Sequence, residues 1–428
     1  MDRLTRRLFL QGGALALATF GLPTIPGFAR RALGEPLVPG AKRKTLIFLF
    51  LPGALDGLSV VTPYGETAIR ELRPGLLHPD PGGPSKGGPL SEPLLALEPG
   101  LGLHPSLSAI LPLYEQKSLA FVHAVGQPDP TRSHFDAQDF LELGTPGMKS
   151  TRDGWLSRAL QLAKADGERT PLEAVAIGNH LPRSLQGGAK AFAFNNLGAV
   201  RLRPLAGGPG GVKGRSLARD TFEALYQGSS DAALAEPGKE AFEALSLLEA
   251  KLGKDFKLAD GDYPKGAAGN SLKQLAALIK ADVGLRVGCA ALGGWDTHAN
   301  QPGELSRRLG ELGAALAAFW DDLGDHRDDV LLVAATEFGR TVKQNGALGT
   351  DHGHGSVALL LGGNVAGGKI YGKWPGLAND KLYEGRDLAV TTDLRAVLAT
   401  AAEAQLGVGD RVRLFPGYEG PQLPFLRG

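Results

Sequence analysis

The chain has one cysteine, Cys289, so an intrachain disulfide and a zinc–cysteine cluster are both excluded. Cys289 sits inside the apolar run 285–292, where a thiol is a small buried hydrophobe. A nucleophilic role would need an exposed, electropositive setting instead. An excess of charge of one sign is also missing. Lys and Arg number 46 against 45 Asp and Glu, a formal +1. No strongly basic domain results, and nucleic-acid binding is not expected. Neither His-Glu-x-x-His nor Gly-x-Gly-x-x-Gly occurs. Residues 363–370 nearly match a phosphate-binding loop, but Ile370 stands where a magnesium-binding hydroxyl is required.

What is present begins at the N-terminus. Arg6-Arg7 is followed by Phe9-Leu10, an apolar stretch over 12–22 and small residues near Ala29. A basic start, a short apolar segment and a small-residue exit make a secretory signal. The stretch is too short and too glycine-rich for a membrane span, so no stable span is expected after cleavage. An uncleaved amphipathic anchor is the alternative. The paired arginines resemble a twin-arginine signal, an address read by the twin-arginine export machinery. The expected division is a signal peptide over 1–29 and one domain over 30–428, with the glycine-rich loop 206–214 as a candidate lobe junction. The mature protein is expected in the periplasm or at the cell surface.

Continuous apolar runs at 45–51, 119–125, 172–177, 285–292, 330–335 and 357–361 predict strands buried on both faces, as in a parallel sheet. Three- and four-residue apolar spacing predicts helices over 104–114, 135–143, 155–164, 241–252, 272–280, 305–323 and 394–406. Strands alternating with helices predict an α/β fold, a three-layer sandwich around a mostly parallel central sheet.

Ligands of such sheets bind at the carboxyl ends of the strands. Acids and imidazoles recur at those ends: Asp56 after the first strand, Asp296 and His298 after 285–292, and Glu337 and Arg340 after 330–335. Asp351, His352 and His354 stand just before 357–361, and Ser133 and His134 follow the loop after 119–125. The four histidines with Asp56, Asp296, Glu337 and Asp351 form a mixed nitrogen and oxygen set. Such a set suits a divalent transition metal, zinc or manganese first, better than calcium. Alternating pairs such as Asp296/His298 and His352/His354 point to one side of extended backbone. Solvated loop residues and helix caps are the alternative reading.

The segments LDGLSVVTPYG, LGLHPSLSAILPLYEQKSLAFVHAVG, RSHFDAQDF, GWDTHANQ, TEFGRTVKQNG and GTDHGHGSVALLLGGNVAGGKIYGKWPG resemble the DUF1501 family of exported bacterial proteins. That family is similar in fold to the alkaline phosphatase and sulfatase superfamily. The resemblance implies an alkaline-phosphatase-like domain with metal at the strand ends, hydrolysing phosphate esters ahead of sulfate esters. By the same resemblance Asp56 matches the metal-binding acid of the first strand, and Ser133 the nucleophile. Asp296 and His298 match a later Asp and His pair, though two residues apart rather than four. Glu337-Phe338 stands where an Asp-His is usual, and His352 or His354 matches the last ligand. No sulfatase motif is found.

On this reading the metal lowers the pKa of water or of the Ser133 hydroxyl. Arg340 forks onto substrate oxygens, or forms a structural ion pair. His134 protonates the leaving group, or bonds to backbone at a helix start; Ser133 could equally cap that helix. The substrate would be a small-molecule or polysaccharide ester. The alternative function is a non-catalytic binding or scaffold protein of the cell envelope. The export reading predicts an N-terminus near Arg30 on sequencing the exported form, and loss of export when Arg6 and Arg7 are both changed to Lys. An intact Met1, or undiminished export, would overturn it.

Overall fold

The computed structural model describes residues 43–84, 90–164, 169–199, 232–252, 258 and 261–427. The expected signal peptide 1–29 and the loop 206–214 lie outside the described residues. Strand β1 (Thr45–Phe50) is buried along its whole length, and its side chains divide by alternation. Ile47 and Leu49 face one hydrophobic layer, Leu46, Phe48 and Phe50 the other. That is why the run is apolar at every position rather than at every second one.

The other strands of the main sheet are β2 (Leu119–Gly126), β3 (Ala174–Ile177), β4 (Phe192–Phe194), β5 (Val287–Ala291), β6 (Val330–Ala335), β7 (Ser356–Gly362), β8 (Ile370–Tyr371) and β9 (Thr392–Asp393). Their order is β8-β2-β7-β6-β1-β5-β3-β4, with β9 also on β2. Pairing is parallel throughout except along β7, which runs antiparallel to both β2 and β6. The six predicted strands are all present, and the buried 357–361 run is the one that is reversed.

The main helices are α1 (His134–Leu143), α2 (Trp155–Leu162), α3 (Ala232–Leu252), α4 (Ala267–Lys280), α5 (Gln301–Leu323) and α6 (Leu394–Leu406). Helices α4 and α5 pack Leu272, Leu275, Leu309 and Leu316 on one face of the sheet. Trp155 of α2 and Val397 of α6 pack on the other. The result is the expected three-layer sandwich. The predicted helix over 104–114 is instead a 3-10 turn, Pro105–Ile110, followed by a short helix, Leu111–Glu115. Pro105 and Pro112 lack the amide donors a continuous helix needs, and Leu107 has non-helical angles (φ −93°, ψ 15°). No helix among the described residues is long and apolar enough to cross a membrane. Cys289 lies buried in β5, and burial pushes its thiol pKa up. The thiol is therefore inert.

The reversal of β7 matters for function. The carboxyl ends of β1, β2, β5 and β6 share one edge of the sheet, and an antiparallel strand brings its amino end to that edge. Segments following four strands and preceding the fifth therefore meet there. The sandwich itself predicts a cost for hollowing its centre. Phe48 is 2% exposed and meets Trp155 edge-on at 5.4 Å. Phe48→Ala should cost about 3–5 kcal/mol in urea denaturation. A loss under about 1 kcal/mol would show that these layers are not tightly packed.

Candidate metal centre

Asp296 stands two residues beyond Gly294, on the segment that leaves β5. Its Oδ1 lies 3.1 Å from His298 Nε2, 3.2 Å from His352 Nε2 and 3.4 Å from His134 Nε2. His298 Nε2 and His352 Nε2 are 2.9 Å apart. The approach depends on a glycine. Gly53 (φ 116°) follows β1, and a Cβ there would lie 2.8 Å from the amide nitrogen of Asp296. Any side chain would push the two strand ends apart.

Each imidazole has its other nitrogen anchored. His134 Nδ1 meets Glu337 Oε1 at 2.7 Å, His298 Nδ1 meets Asp351 Oδ1 at 3.1 Å, and His352 Nδ1 meets the Arg132 carbonyl at 2.8 Å. All three partners are acceptors, so each Nδ1 carries the proton and donates it. The Nε2 lone pairs are then left facing one another and a carboxylate oxygen. Nothing among these groups donates into that space except Arg340, whose guanidinium touches Asp296 Oδ1. His134 Nε2 is buried without a hydrogen-bond partner.

Lone pairs gathered in this way call for a cation. A tetrahedral zinc with bonds near 2.0–2.1 Å separates its donor atoms by about 3.3 Å. The contacts of Asp296 Oδ1, from 3.1 to 3.4 Å, fit that spacing. The ligand atoms of His134, Asp296 and His352 all lie within 4.8 Å of one another. Imidazoles whose far nitrogen donates to a carboxylate or carbonyl are the usual form of a metal-binding histidine. The residues therefore fit a divalent transition metal.

The expected site residues divide on this geometry. Asp296, His134, His298 and His352 converge. Glu337 does not join them as a ligand. Its Oε1 takes Gly53 N–H at 2.8 Å and Gln138 Nε2 at 3.1 Å besides His134, and its Oε2 takes the Thr336 hydroxyl at 2.8 Å. Its place is to orient His134. Asp351 does the same for His298. His354 stands apart, buried with its ring stacked on Tyr383 at 4.5 Å.

Arg340 is the structural ion pair rather than the substrate fork. It is 1% exposed and donates to the carbonyls of Gly53, Ala54, Trp295 and Thr350 as well as to Asp296. Its side chain is fully buried among these acceptors rather than presented to a ligand. Ser133 caps α1, its Oγ accepting from the Asp136 amide at 3.4 Å. Asp56 is also separate. It is 1% exposed, and its Oδ2 takes Arg73 Nη1, Gln301 Nε2 and the Ser59 hydroxyl, each at 2.6 Å. Arg73 and Gln301 are the residues that sequence reasoning missed. Gln301 was in view inside the GWDTHANQ segment, but an amide carries no metal-ligand signal.

The charges follow from these contacts. Burial opposes the Asp296 carboxylate, yet the Arg340 guanidinium outweighs it and holds the pKa down at about 2. Burial likewise opposes charge on Glu337, and the bond from His134 with the backbone donors holds its pKa below the ordinary value. The Glu337 bond raises the pKa of His134, against the effect of burial. Burial lowers that of His352, keeping its ring neutral.

A model of the family described as "Protein of unknown function (DUF1501)" matches residues 43–414. No curated protein matches the chain. Among solved structures, the chain is similar to the C-terminal periplasmic domain of EcEptC from Escherichia coli in complex with Zn. The identity is 9%, with 77% of this chain and 76% of that one covered and a TM-score of 0.35. It is also similar to the lipoteichoic acid synthase LtaP from Listeria monocytogenes (10% identity, 90% and 79% covered, TM-score 0.35). A third is the PsFucS1 sulfatase from Pseudoalteromonas sp. (11% identity, 86% and 68% covered, TM-score 0.34).

The His134–Glu337 pair sets a pH dependence for the metal-free protein. His134 is raised in the folded state, so its contribution is complete below its ordinary 6.5 and is lost as pH rises through the raised value. Glu337 is lowered, so its contribution is complete above 4.5 and is lost as pH falls through the lowered value. The pair should support the fold most between pH 4.5 and 6.5. NMR titration of the ring carbons should find His134 above 6.5, and Glu337→Gln should bring it down. An unmoved His134 in that variant would show that Glu337 does not hold its proton.

Proposed function

The chain belongs to the DUF1501 family, and from that premise we propose that it is an exported, metal-dependent hydrolase of phosphate esters, ahead of sulfate esters. One observation carries the reading. Three histidines, each with Nδ1 committed to an acceptor, turn their Nε2 lone pairs towards Asp296 Oδ1. His134, His298, His352 and Asp296 would hold the ion, zinc or manganese. The ion supplies Lewis acidity, neutralising charge on an oxygen of the ester.

The chain's own residues supply the rest. Ser133 precedes His134 at the start of α1, so its hydroxyl is fixed next to a ligand-bearing residue. The cap bond uses only a lone pair of Oγ, and the hydroxyl proton stays free. Ser133 Oγ bonds to phosphorus as the ester oxygen leaves with that proton, and water then releases phosphate and restores the hydroxyl. His134 serves as a ligand in this reading, since both its nitrogens are engaged, and it is not the leaving-group acid.

The role first given to Arg340 passes to Arg308 of α5. Its Nε is buried without a hydrogen-bond partner, and it has no ion pair among the described residues. The guanidinium lies against Gly294, where a Cβ would stand 2.5 Å from Cζ. Gly293 and Gly294 are exposed and lead directly to Asp296. An uncommitted guanidinium beside exposed backbone is placed to take oxygens of an anionic ester.

Elemental analysis and an ester screen on the full chain test the reading. Zinc- or manganese-loaded protein should hold about one ion and turn over phosphate esters. His134→Ala and His352→Ala should lose metal and turnover together. Ser133→Ala should keep the metal and lose turnover. Arg308→Ala should keep the metal and raise KM roughly tenfold or more, the size of a lost charged hydrogen bond. No bound metal after loading, with no turnover, would overturn the reading in favour of a non-catalytic envelope protein.

A further inference from the structure

We propose that Asp56, Arg73 and Gln301 are positioning residues of the metal centre, a buried polar relay that fixes the segments carrying its ligands to one another. The inference rests on the metal-binding reading above and adds three residues that touch neither the ion nor the substrate.

Gln301, the first residue of α5, is 1% exposed and uses both ends of its amide. Its Oε1 accepts from the Thr297 hydroxyl at 2.9 Å and from the Thr350 hydroxyl at 2.7 Å. Thr297 lies between Asp296 and His298, and Thr350 lies two residues before His352. One oxygen thus pins the segment after β5 to the segment before β7. The backbone repeats the link, Thr350 N–H donating to the Thr297 carbonyl at 3.2 Å.

The Nε2 of Gln301 donates to Asp56 Oδ2, and Asp56 receives Arg73 on the same oxygen. Arg73 then donates Nη2 to the Thr341 carbonyl at 2.6 Å and Nε to the Val342 carbonyl at 2.7 Å. Those carbonyls follow Arg340, whose Nη1 returns to the Thr350 carbonyl at 2.9 Å. The relay therefore closes on itself around Asp296, His298 and His352. An amide suits the Gln301 position because it accepts two hydroxyls and donates to a carboxylate at once. Glu would lack the donor, and Leu both functions. Metal ligation tolerates only about 0.2 Å in its distances, so slack between these segments weakens binding before it unfolds the domain.

The test compares the full chain with Gln301→Leu, Thr350→Val and Asp56→Asn. It reads three quantities: zinc affinity by competition with a chelating dye, Tm, and amide exchange across residues 296–301 and 349–353. Gln301→Leu and Thr350→Val should stay folded and bind zinc about 10–100-fold more weakly. Their exchange should quicken in those two segments and not across β1. Wild-type zinc affinity in both variants, whatever happens to Tm, would overturn the positioning role and leave a purely structural one. If the wild type itself takes up no zinc, the hydrolase reading fails separately. Exchange then decides, and unchanged protection of the two segments would sink the relay. Should Asp56→Asn fail to fold, the other two variants carry the test.

Discussion

A buried carboxylate is tolerated only where donors and a counter-charge meet it, and Asp56 has both. Its burial opposes charge, but Arg73 with Ser59 and Gln301 holds the group ionised, its pKa below the usual value. The arrangement around the candidate metal depends on that pair. Remove Arg73, and the carbonyls of Thr341 and Val342 lose their donor while a negative charge is stranded in the core. Remove Gln301, and the hydroxyls of Thr297 and Thr350 lose their common acceptor. Breaking one partner of a buried ion pair is commonly worth about 3–5 kcal/mol, so the pair is both a strut and a liability.

The sheet explains why such a strut is needed. Four parallel strand ends and the start of an antiparallel strand deliver their segments to one edge, but none of those segments is held by the ladder beyond its last paired residue. Glycine lets them touch, as Gly53 does against Asp296. Touching alone does not fix the rotation of a side chain. Arg340 does that for Asp296, and Glu337, Asp351 and the Arg132 carbonyl do it for each ring.

Much of this was legible in the sequence, for reasons that can be named. Strands buried on both faces announce themselves by unbroken apolar runs, and β1, β2 and β6 were readable from that alone. Helix α6 is legible to its observed ends because Leu394 to Leu406 keeps helical spacing up to Gly407. The 104–114 segment misled, since its spacing is helical while its prolines break the bonding. Short strands β4, β8 and β9 have too few residues to show a period. At the site, the histidines and Asp296 were legible because their chemistry is scarce. The acids were not separable by type. Asp56, Glu337 and Asp351 looked like ligands because an acid at a strand end reads the same whether it meets a metal, an imidazole or a guanidinium. Only the partner distinguishes them, and for Glu337 that imidazole, His134, lies 203 residues away.

That sorting of the acids also bears on whether the centre can react. Four protein donors would close a tetrahedral zinc as a structural site, whereas a catalytic one keeps a position open. The donors here are unequal. His134, Asp296 and His352 gather within 4.8 Å of one another, and the His134 and His352 side chains are only 20% and 23% exposed. His298 Nε2 comes as close, 3.1 Å from Asp296 Oδ1 and 2.9 Å from His352 Nε2, but its ring is 45% exposed and anchored by the exposed carboxylate of Asp351, with Asn345 on its own carbonyl. In the proposed hydrolase, a ring with a solvated anchor is the donor that would give way to a substrate oxygen. Had Glu337 or Asp56 supplied ligands as well, the centre would have been crowded and over-charged. In the proposed centre, their diversion into orienting and bracing roles leaves four candidate donors, of which His298 has the most exposed anchoring side chain, the Asp351 carboxylate.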